Sequence, residues 1–243
     1  MADGPELKID ITEKRFNVLP VPLYENLHIE VPAGQVLALV GPSGIGKSSL
    51  LRLVAGIDTD YDGAITIAGT PAKDAPPPGF VFQDSRLLPW LTAIQNIEAV
   101  NPAISRDQAR AMLARVGLDG FADAFPHQLS GGMQRRVALA RAFSVNSRLL
   151  LLDEPFVSLD RHLVSGLQKV LLDLMANETP TAILVTHLPD DAALLADRAI
   201  VLDGRPARVV ADISFESRRG ARDPQELQRL TQLLSAYSEE KAL

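Results

Sequence analysis

Two stretches of this chain have the residue types and spacing of phosphate-binding loops. Residues 41–48 fit the pattern G-x-x-x-x-G-K-[ST], in which glycines let successive backbone N–H groups turn toward phosphate oxygens. Residues 129–134 read Leu-Ser-Gly-Gly-Met-Gln, a serine and two glycines just before a helix-forming run. One bound nucleotide needs only the first stretch, so the second is predicted to serve the nucleotide of another subunit.

The first stretch has the sequence context that such a loop requires. An apolar run at 36–40 predicts a buried strand before it, and residues 48–55 predict a helix after it. Lys47 would reach the β- and γ-phosphates, and the Ser48 hydroxyl would bind Mg²⁺. The alternative, a glycine-rich turn with an exposed lysine, is disfavoured by this context. The residues predicted to contact the nucleotide are Gly41, Pro42, Ser43, Gly44, Ile45, Gly46, Lys47, Ser48 and Ser49.

Four apolar runs each end in a residue that can do chemistry. The pairs are 36–40 before Gly41, 80–82 before Gln83, 149–152 before Asp153 and Glu154, and 182–186 before His187. In an open parallel sheet, ligands bind beyond the carboxyl ends of the strands. The four ends are therefore predicted to converge on one phosphate site.

The two neighbouring carboxylates are predicted to have different roles, because consecutive strand side chains point to opposite faces. Asp153 would hold Mg²⁺, and Glu154 would polarise the attacking water. The alternative is an acidic strand end before a turn that begins at Pro155. Gln83, by binding Mg²⁺ or water, and His187, by hydrogen bonding the γ-phosphate, are predicted to complete the catalytic group with Lys47. Either residue alone would more often be structural.

Residues 88–146 have apolar positions at helical spacing and are predicted to form a helical lobe inserted into the sheet domain. Within this lobe, Ser130 is a good helix N-cap, and the glycines after it leave backbone N–H groups free at the start of the next helix. That end is predicted to receive an anion, and the natural anion is the γ-phosphate bound by a second copy of the chain. The alternative is an ordinary capped surface helix.

Composition restricts the class of protein. The 243 residues are 47% hydrophobic, include no cysteine and carry a net charge of −6. Disulfides and thiolate metal sites are excluded, and the negative charge argues against broad nucleic-acid binding. No apolar run is long enough to span a bilayer, and residues 1–6 lack the features of a secretory signal, so the chain is expected in the cytoplasm. The basic pairs Arg135-Arg136 and Arg218-Arg219 are predicted to be solvated or to contact acidic neighbours.

The motifs, taken in order, resemble those of the ATPase subunit of an ABC transporter. They occupy residues 41–48, 83, 129–134, 149–155, 158–160 and 187. The resemblance implies an α/β fold of the P-loop NTPase, RecA-like type: a mixed-sheet core with an inserted α-helical subdomain. It implies a nucleotide-binding domain over 1–212, with the helical subdomain at about 88–146. Residues 213–243 are expected to form a short, solvated helical extension.

The same resemblance implies a head-to-tail dimer that holds two ATP molecules with Mg²⁺. Each ATP would lie between the phosphate loop of one copy and residues 129–134 of the other. Asp160 would lie at the dimer interface and link the two sites. The residues implied to contact the partner's nucleotide are Ser130, Gly131, Gly132 and Gln134.

A narrower resemblance concerns residues 81–92, which contain Arg-Leu-Leu-Pro-Trp after Gln83. They are similar to the import branch that handles nitrate, sulfonates and taurine. This implies that a transmembrane permease docks near Gln83 to Thr92, that an external solute-binding protein delivers the solute, and that the chain is peripheral on the cytoplasmic face of the inner membrane. Alternatively, Trp90 and the nearby leucines pack between the lobes. The rival functions are a soluble kinase and a non-transport ABC ATPase acting on a soluble macromolecular partner.

The chain departs from the family pattern at two places. An acidic residue usually follows the histidine, whereas Leu188 and Pro189 follow His187, so the hydrogen bond of that acidic residue is expected to be absent. The aromatic residue that stacks on adenine has two candidates. Phe16 fits if residues 18–22 are a short insertion, and Tyr24 is closer to the loop but falls in a predicted strand. Phe16 is the preferred residue.

Overall fold

A computed structural model describes residues 4–145, 147–157 and 159–239. Ser158 and Asn146, which fall in the predicted motif and helical lobe, lie outside the described residues. The strands are β1 Leu7–Lys14, β2 Tyr24–Val31, β3 Val36–Val40, β4 Asp62–Ile67, β5 Thr70–Pro71, β6 Gly79–Val81, β7 Leu149–Asp153, β8 Thr181–Thr186, β9 Arg198–Asp203 and β10 Arg208–Ser214. The helices are α1 Lys47–Val54, α2 Ala93–Glu98, α3 Arg106–Arg115, a 3-10 turn Pro126–Gln128, α4 Gly131–Phe143, α5 Arg161–Glu178, α6 Pro189–Leu195 and α7 Pro224–Glu239.

A six-stranded mixed sheet forms the centre of the fold, with the strand order β10-β9-β3-β8-β7-β6. The strands from β9 to β6 are parallel, and β10 is antiparallel to β9. The four apolar runs singled out in the sequence are the adjacent strands β3, β8, β7 and β6, with the Gln83 strand ending one residue earlier than predicted. The predicted convergence of their carboxyl ends is confirmed.

A second, antiparallel sheet has the order β2-β1-β4-β5 and was not predicted. Buried apolar residues and exposed residues alternate along its strands. In β1, Leu7, Ile9 and Ile11 are buried, whereas the side chains between them are exposed. This face packs into one hydrophobic cluster with α1 and one side of the six-stranded sheet. The phosphate loop, which connects β3 to α1, therefore lies between two rigid layers.

The helices α2 to α4 cover the opposite side of the six-stranded sheet. Their apolar residues share a single hydrophobic cluster with inward-facing residues of β3, β7 and β8. Hydrogen-bonded caps start α2 and α3, where the Thr92 and Ser105 hydroxyls accept from the backbone N–H three residues ahead. The predicted helical lobe is thus helical, but its core is continuous with that of the sheet.

The C-terminal segment is less solvated than expected. The boundary predicted between residues 212 and 213 falls inside β10, so the sheet continues past it. Arg222 is buried and donates hydrogen bonds to the carbonyls of Ala193 and Ala196 at the end of α6. Leu230 and Leu234 of α7 are buried as well. The expectation of a solvated extension is wrong for these residues, because the segment packs on α6.

No helix in the described ranges combines the length and the apolar character needed to cross a bilayer.

Candidate nucleotide-binding site

The phosphate loop is supported from below by a tyrosine. Gly46, the N-cap of α1, has φ 113°, in the region that favours glycine. A Cβ on Gly46 would lie 2.6 Å from the Tyr24 hydroxyl oxygen, and that hydroxyl donates a 2.5 Å hydrogen bond to the Gly46 carbonyl. Tyr24 is fully buried. It fixes the backbone of the loop and has no face free to stack on a base.

Lys47 is folded into its own loop. Its ammonium donates to the carbonyls of Gly41, at 2.7 Å, and Pro42, at 2.9 Å, and the residue is only 4% exposed. Burial lowers the pKa of Lys47, while the negative charges of Glu154 and Asp153 oppose that shift. The ammonium is therefore held next to the helix N-terminus, where it can exchange carbonyl oxygens for phosphate oxygens.

A cavity of about 520 Å³ opens above the loop. Six of the nine predicted loop residues line it, together with Gln83 and Glu154, whereas Gly41, Pro42 and Ile45 do not. Phe16 lines it as well. The full lining is Phe16, Val18, Leu19, Leu23, Ser43, Gly44, Gly46, Lys47, Ser48, Ser49, Gln83 and Glu154. An aromatic ring beside a phosphate loop gives this cavity the two surfaces that a nucleotide requires.

Ser48 and Asp153 form the pair of oxygen donors that the sequence predicts for Mg²⁺. The Ser48 hydroxyl donates to Asp153 Oδ1 at 2.8 Å. Burial raises the pKa of Asp153, and the hydrogen bond from Ser48 opposes the shift. Among the described residues, no group of three or more His, Cys, Asp or Glu side chains is arranged to hold a metal ion by itself. This donor set fits Mg²⁺, which is commonly held by one or two carboxylates plus phosphate oxygens and water.

Glu154 and His187 meet at the ends of adjacent strands. His187 Nδ1 lies 3.2 Å from Glu154 Oε2. Glu154 has φ 46°, and its N–H donates to the Val185 carbonyl of β8 at 2.9 Å. A glutamate in the left-handed region is uncommon and is found where the backbone must turn a side chain toward a site. Here the turn separates Glu154, which lines the cavity, from Asp153, which bonds to Ser48.

Asp191 is a residue that the sequence analysis missed. It is buried and accepts hydrogen bonds from the Gln168 amide of α5, at 2.8 Å, and the Thr186 hydroxyl, at 3.2 Å. The same hydroxyl accepts from the Leu188 N–H. Leu188 has no side-chain hydrogen-bonding group, so the bond of an acidic residue directly after His187 stays absent, whereas Asp191 binds the residue before His187. Its signal was an acidic pair at the start of a helix, which alone is unspecific.

The residues predicted to meet a partner's nucleotide lie elsewhere. The Ser130 hydroxyl caps α4 by accepting from the Met133 N–H at 3.3 Å, and Gly131 is exposed. Gln134 donates to the carbonyls of Pro126 and Leu129, so its amide supports the turn before the helix. Asp160 is exposed at the N-terminus of α5. Among these described residues, and Gly132 with them, none lines the cavity.

A family model described as ABC transporter matches residues 24–157, more than half of the chain. The chain belongs to the ABC transporter family. It is accordingly an ABC ATPase, and it binds and hydrolyses ATP.

Several proteins are similar to this ABC ATPase over most of its length. An aliphatic sulfonates import ATP-binding protein of Pseudomonas syringae pv. syringae is 39% identical over 241 residues, covering 96% of this chain and 99% of the relative. An aliphatic sulfonates import ATP-binding protein of Bacillus anthracis is 40% identical over 193 residues, covering 78% of this chain and 77% of the relative. Among solved structures, the dimeric ATP-binding cassette MJ0796, in a post-hydrolysis state with ADP and Pi, matches this chain with a TM-score of 0.75 and 28% sequence identity. The match covers 87% of this chain and 100% of that one.

The segment after β6 is divided between core and surface. One of the two interpretations of residues 87–91 was that Trp90 packs between the lobes. Trp90 is 69% exposed, so this interpretation is wrong for Trp90. Leu87 packs against the core cluster. The buried Asn96 amide bonds to the carbonyls of Leu88, Leu91 and Thr92 and fixes the turn that presents Trp90.

Proposed function

We propose that this ABC ATPase is the energy-coupling subunit of an importer for a small oxyanionic solute, an alkyl sulfonate being the best candidate and nitrate or taurine the alternatives. The observation that carries the proposal is the 39% identity, over nearly the full length of both chains, to an aliphatic sulfonates import ATP-binding protein. The exposed Trp90, seven residues after Gln83 in the sequence, supports it, since an exposed large aromatic residue suits a partner's docking site.

Two copies would pair head to tail around two ATP molecules. The support is the separation of functions within one chain, because the cavity contains Lys47 and Glu154 while Ser130 and Gly131 are exposed outside it. In the dimer, the N-terminus of α4 would face the γ-phosphate bound by the other copy. Asp160, exposed at the start of α5, would lie between the two sites.

Within each site, the chain's own groups have separate tasks. The N–H groups of the loop and Lys47 would hold the β- and γ-phosphates, and Phe16 would stack on adenine. Glu154 would orient and polarise the attacking water, and His187, 3.2 Å away, would hold that carboxylate and the γ-phosphate in position. Ser48, Asp153 and Gln83 would hold Mg²⁺, which neutralises phosphate charge when bound.

The partner at the membrane would be a permease with a helix that enters the surface formed by residues 83–92. The ATPase would then be peripheral, on the cytoplasmic face of the inner membrane, and an external solute-binding protein would deliver the solute to the permease. The solute is recognised by those partners, so the ATPase chain itself is expected to show no affinity for sulfonates.

The first experiment is to purify tagged Glu154→Gln protein from its native membranes with MgATP. Removing the carboxylate that polarises water should lower hydrolysis by about 100-fold or more and trap the closed dimer. A polytopic membrane protein in stoichiometric amount, and sulfonate-stimulated ATPase activity in the parental complex with its binding protein, are the expected results. Lys47→Ala, which cannot hold the phosphates, is the matched control and should not be trapped.

Two outcomes would contradict the proposal. Recovery of the trapped dimer with a soluble macromolecule and no membrane protein would favour a non-transport ABC ATPase. Hydrolysis by Glu154→Gln at the parental rate would show that Glu154 does not polarise the water.

A further inference from the structure

The segment that carries Gln83 is held from one helix by two buried arginines. Arg135 donates from Nη1 to the Phe82 carbonyl at 2.8 Å. Arg141 donates from Nη1 to the Arg86 carbonyl at 2.8 Å and from Nη2 to the Ser85 carbonyl at 2.9 Å. Both arginines belong to α4 and are at most 8% exposed. The two contacts lie on either side of Gln83.

These two arginines are buried without the carboxylate partner that a buried cation usually has. In the described part of the chain, no carboxylate lies within ion-pair distance of Arg135 or Arg141. Burial lowers the pKa of both, and for Arg135 the charge of Asp84 opposes the shift. Burying a cation without a carboxylate is costly, and hydrogen bonds to carbonyls offset part of that cost. Three of these bonds go to the backbone between β6 and α2, and a longer one, 3.5 Å, goes from Arg135 to the Val157 carbonyl.

The segment needs such support because it has no secondary structure of its own. Between Val81 and Ala93 no helix or strand is formed, and Arg86 has φ 43°. The Arg86 guanidinium stacks over the Phe82 ring, which in turn stacks on Phe80. These contacts fix side chains, whereas the three carbonyl contacts from α4 fix the path of the main chain around Gln83.

We propose that Arg135 and Arg141 are positioning residues for Gln83: they transmit the position of α4 to the Gln83 side chain in the ATP cavity. The first residues of this helix, capped by Ser130, are those proposed to meet the partner's nucleotide. One helix of 13 residues thus connects that end to the main chain beside Gln83 and to the start of the permease-docking segment. The inference rests on the proposed role of Gln83.

The chain provides a direct probe, because its single tryptophan, Trp90, lies in the same segment and is 69% exposed. Arg141→Lys keeps a cation but cannot bond two carbonyls in a fixed plane, and Arg135→Lys tests the other side of Gln83. Arg136→Lys is the matched control, since Arg136 is on the same helix and bonds instead to the Val116 carbonyl. Each variant is compared with the parent by circular dichroism and thermal unfolding.

The expected result has two parts. Trp90 anisotropy should fall and acrylamide quenching should rise in Arg141→Lys and Arg135→Lys but not in Arg136→Lys. The kcat for MgATP should fall roughly tenfold with KM within about twofold, because a misplaced group costs rate more than ground-state binding. In a Gln83→Ala background, the same substitutions should lower kcat by less than about twofold further, since residues that act through one another are not additive.

Three results would contradict the positioning role proposed for Arg135 and Arg141. Multiplicative losses in the Gln83→Ala background would show that the arginines act independently of Gln83 and would overturn the proposal. Unchanged Trp90 quenching in both lysine variants would overturn it as well. A parental kcat in Gln83→Ala itself would contradict the proposed role of Gln83 and would overturn the inference with it. The proposed function would still stand in that case if Lys47→Ala and Glu154→Gln had lost ATP hydrolysis.

Discussion

The N-termini of α1 and α4, both proposed to receive phosphate, have opposite surroundings. The start of α1 lies inside the cavity, with the buried Lys47 at its first position and Glu154 across from it. The start of α4 is exposed at Ser130 and Gly131, and neither of these residues lines the cavity. The α1 end has the proposed catalytic groups beside it, and the α4 end has exposed backbone together with the Ser130 hydroxyl. In the proposed head-to-tail dimer, the two ends would complement each other between copies of the chain.

The sharpest test of this difference is Gly131→Asp. Apart from its chain neighbours and the backbone of its own helix, no described atom lies within 4 Å of a Cβ built at Gly131. An aspartate in the first turn also interacts favourably with the helix dipole, so folding should be unaffected. A carboxylate there would repel a partner's γ-phosphate. We expect hydrolysis to fall about 100-fold, while nucleotide binding to the monomer stays at the parental level. Steady-state ATPase assays and binding of a fluorescent ATP analogue measure the two effects.

Mixing two inactive variants checks whether the sites are shared. In a head-to-tail dimer of Lys47→Ala with Gly131→Asp, one site combines both defects and the other has an intact loop and an intact α4. Mixed samples should therefore regain part of the parental activity, although each variant alone has little. Failure to regain activity, with mixed dimers demonstrated by tagged pull-down, would mean that the two helix ends do not serve one site.

The next test separates the two aromatic residues near the loop. Phe16→Ala should raise the KM for MgATP roughly tenfold with little change in kcat or stability, because it removes a stacking face from the cavity. Tyr24→Phe should instead lower stability by about 1 kcal/mol, since it removes the hydrogen bond to the Gly46 carbonyl. A KM effect of Tyr24→Phe larger than that of Phe16→Ala, measured at equal folded fraction, would reverse the assignment.

The smallest expected effect concerns Asp153. Burial raises its pKa in the folded state above the ordinary value of 3.8, so folding favours the protonated form. Between the pKa of Asp153 in the unfolded chain and its higher pKa in the folded protein, the unfolded chain loses the proton first. The free energy of unfolding of the parent therefore falls as pH rises. Asp153→Asn should therefore match the parent at low pH and melt roughly 1–4 °C higher at neutral pH without nucleotide, while losing MgATP hydrolysis. Equal melting temperatures at neutral pH would contradict the role assigned to burial.

The four strand ends could be predicted, because each combines a continuous apolar run with a residue suited to phosphate or metal chemistry at or just after its end. The antiparallel sheet could also have been found, since apolar and polar residues alternate with period two from Leu7 to Thr12. Arg135 could not. Its neighbour in sequence, Arg136, suggested a solvated basic pair, and its buried contact, the Phe82 carbonyl, is 53 residues away. Asp191 and the left-handed Glu154 depend on the fold in the same way.

The core shared by the helical segment and the sheet limits how freely these two parts could have been exchanged in evolution. Residues of α2 to α4 and the inward faces of β3, β7 and β8 belong to one hydrophobic cluster. A helical segment taken from another cassette would leave voids or clashes in that cluster unless the strand residues changed with it. A chain that adapts to a new permease is therefore expected to change first at exposed positions such as Trp90, and to keep the helices beneath them.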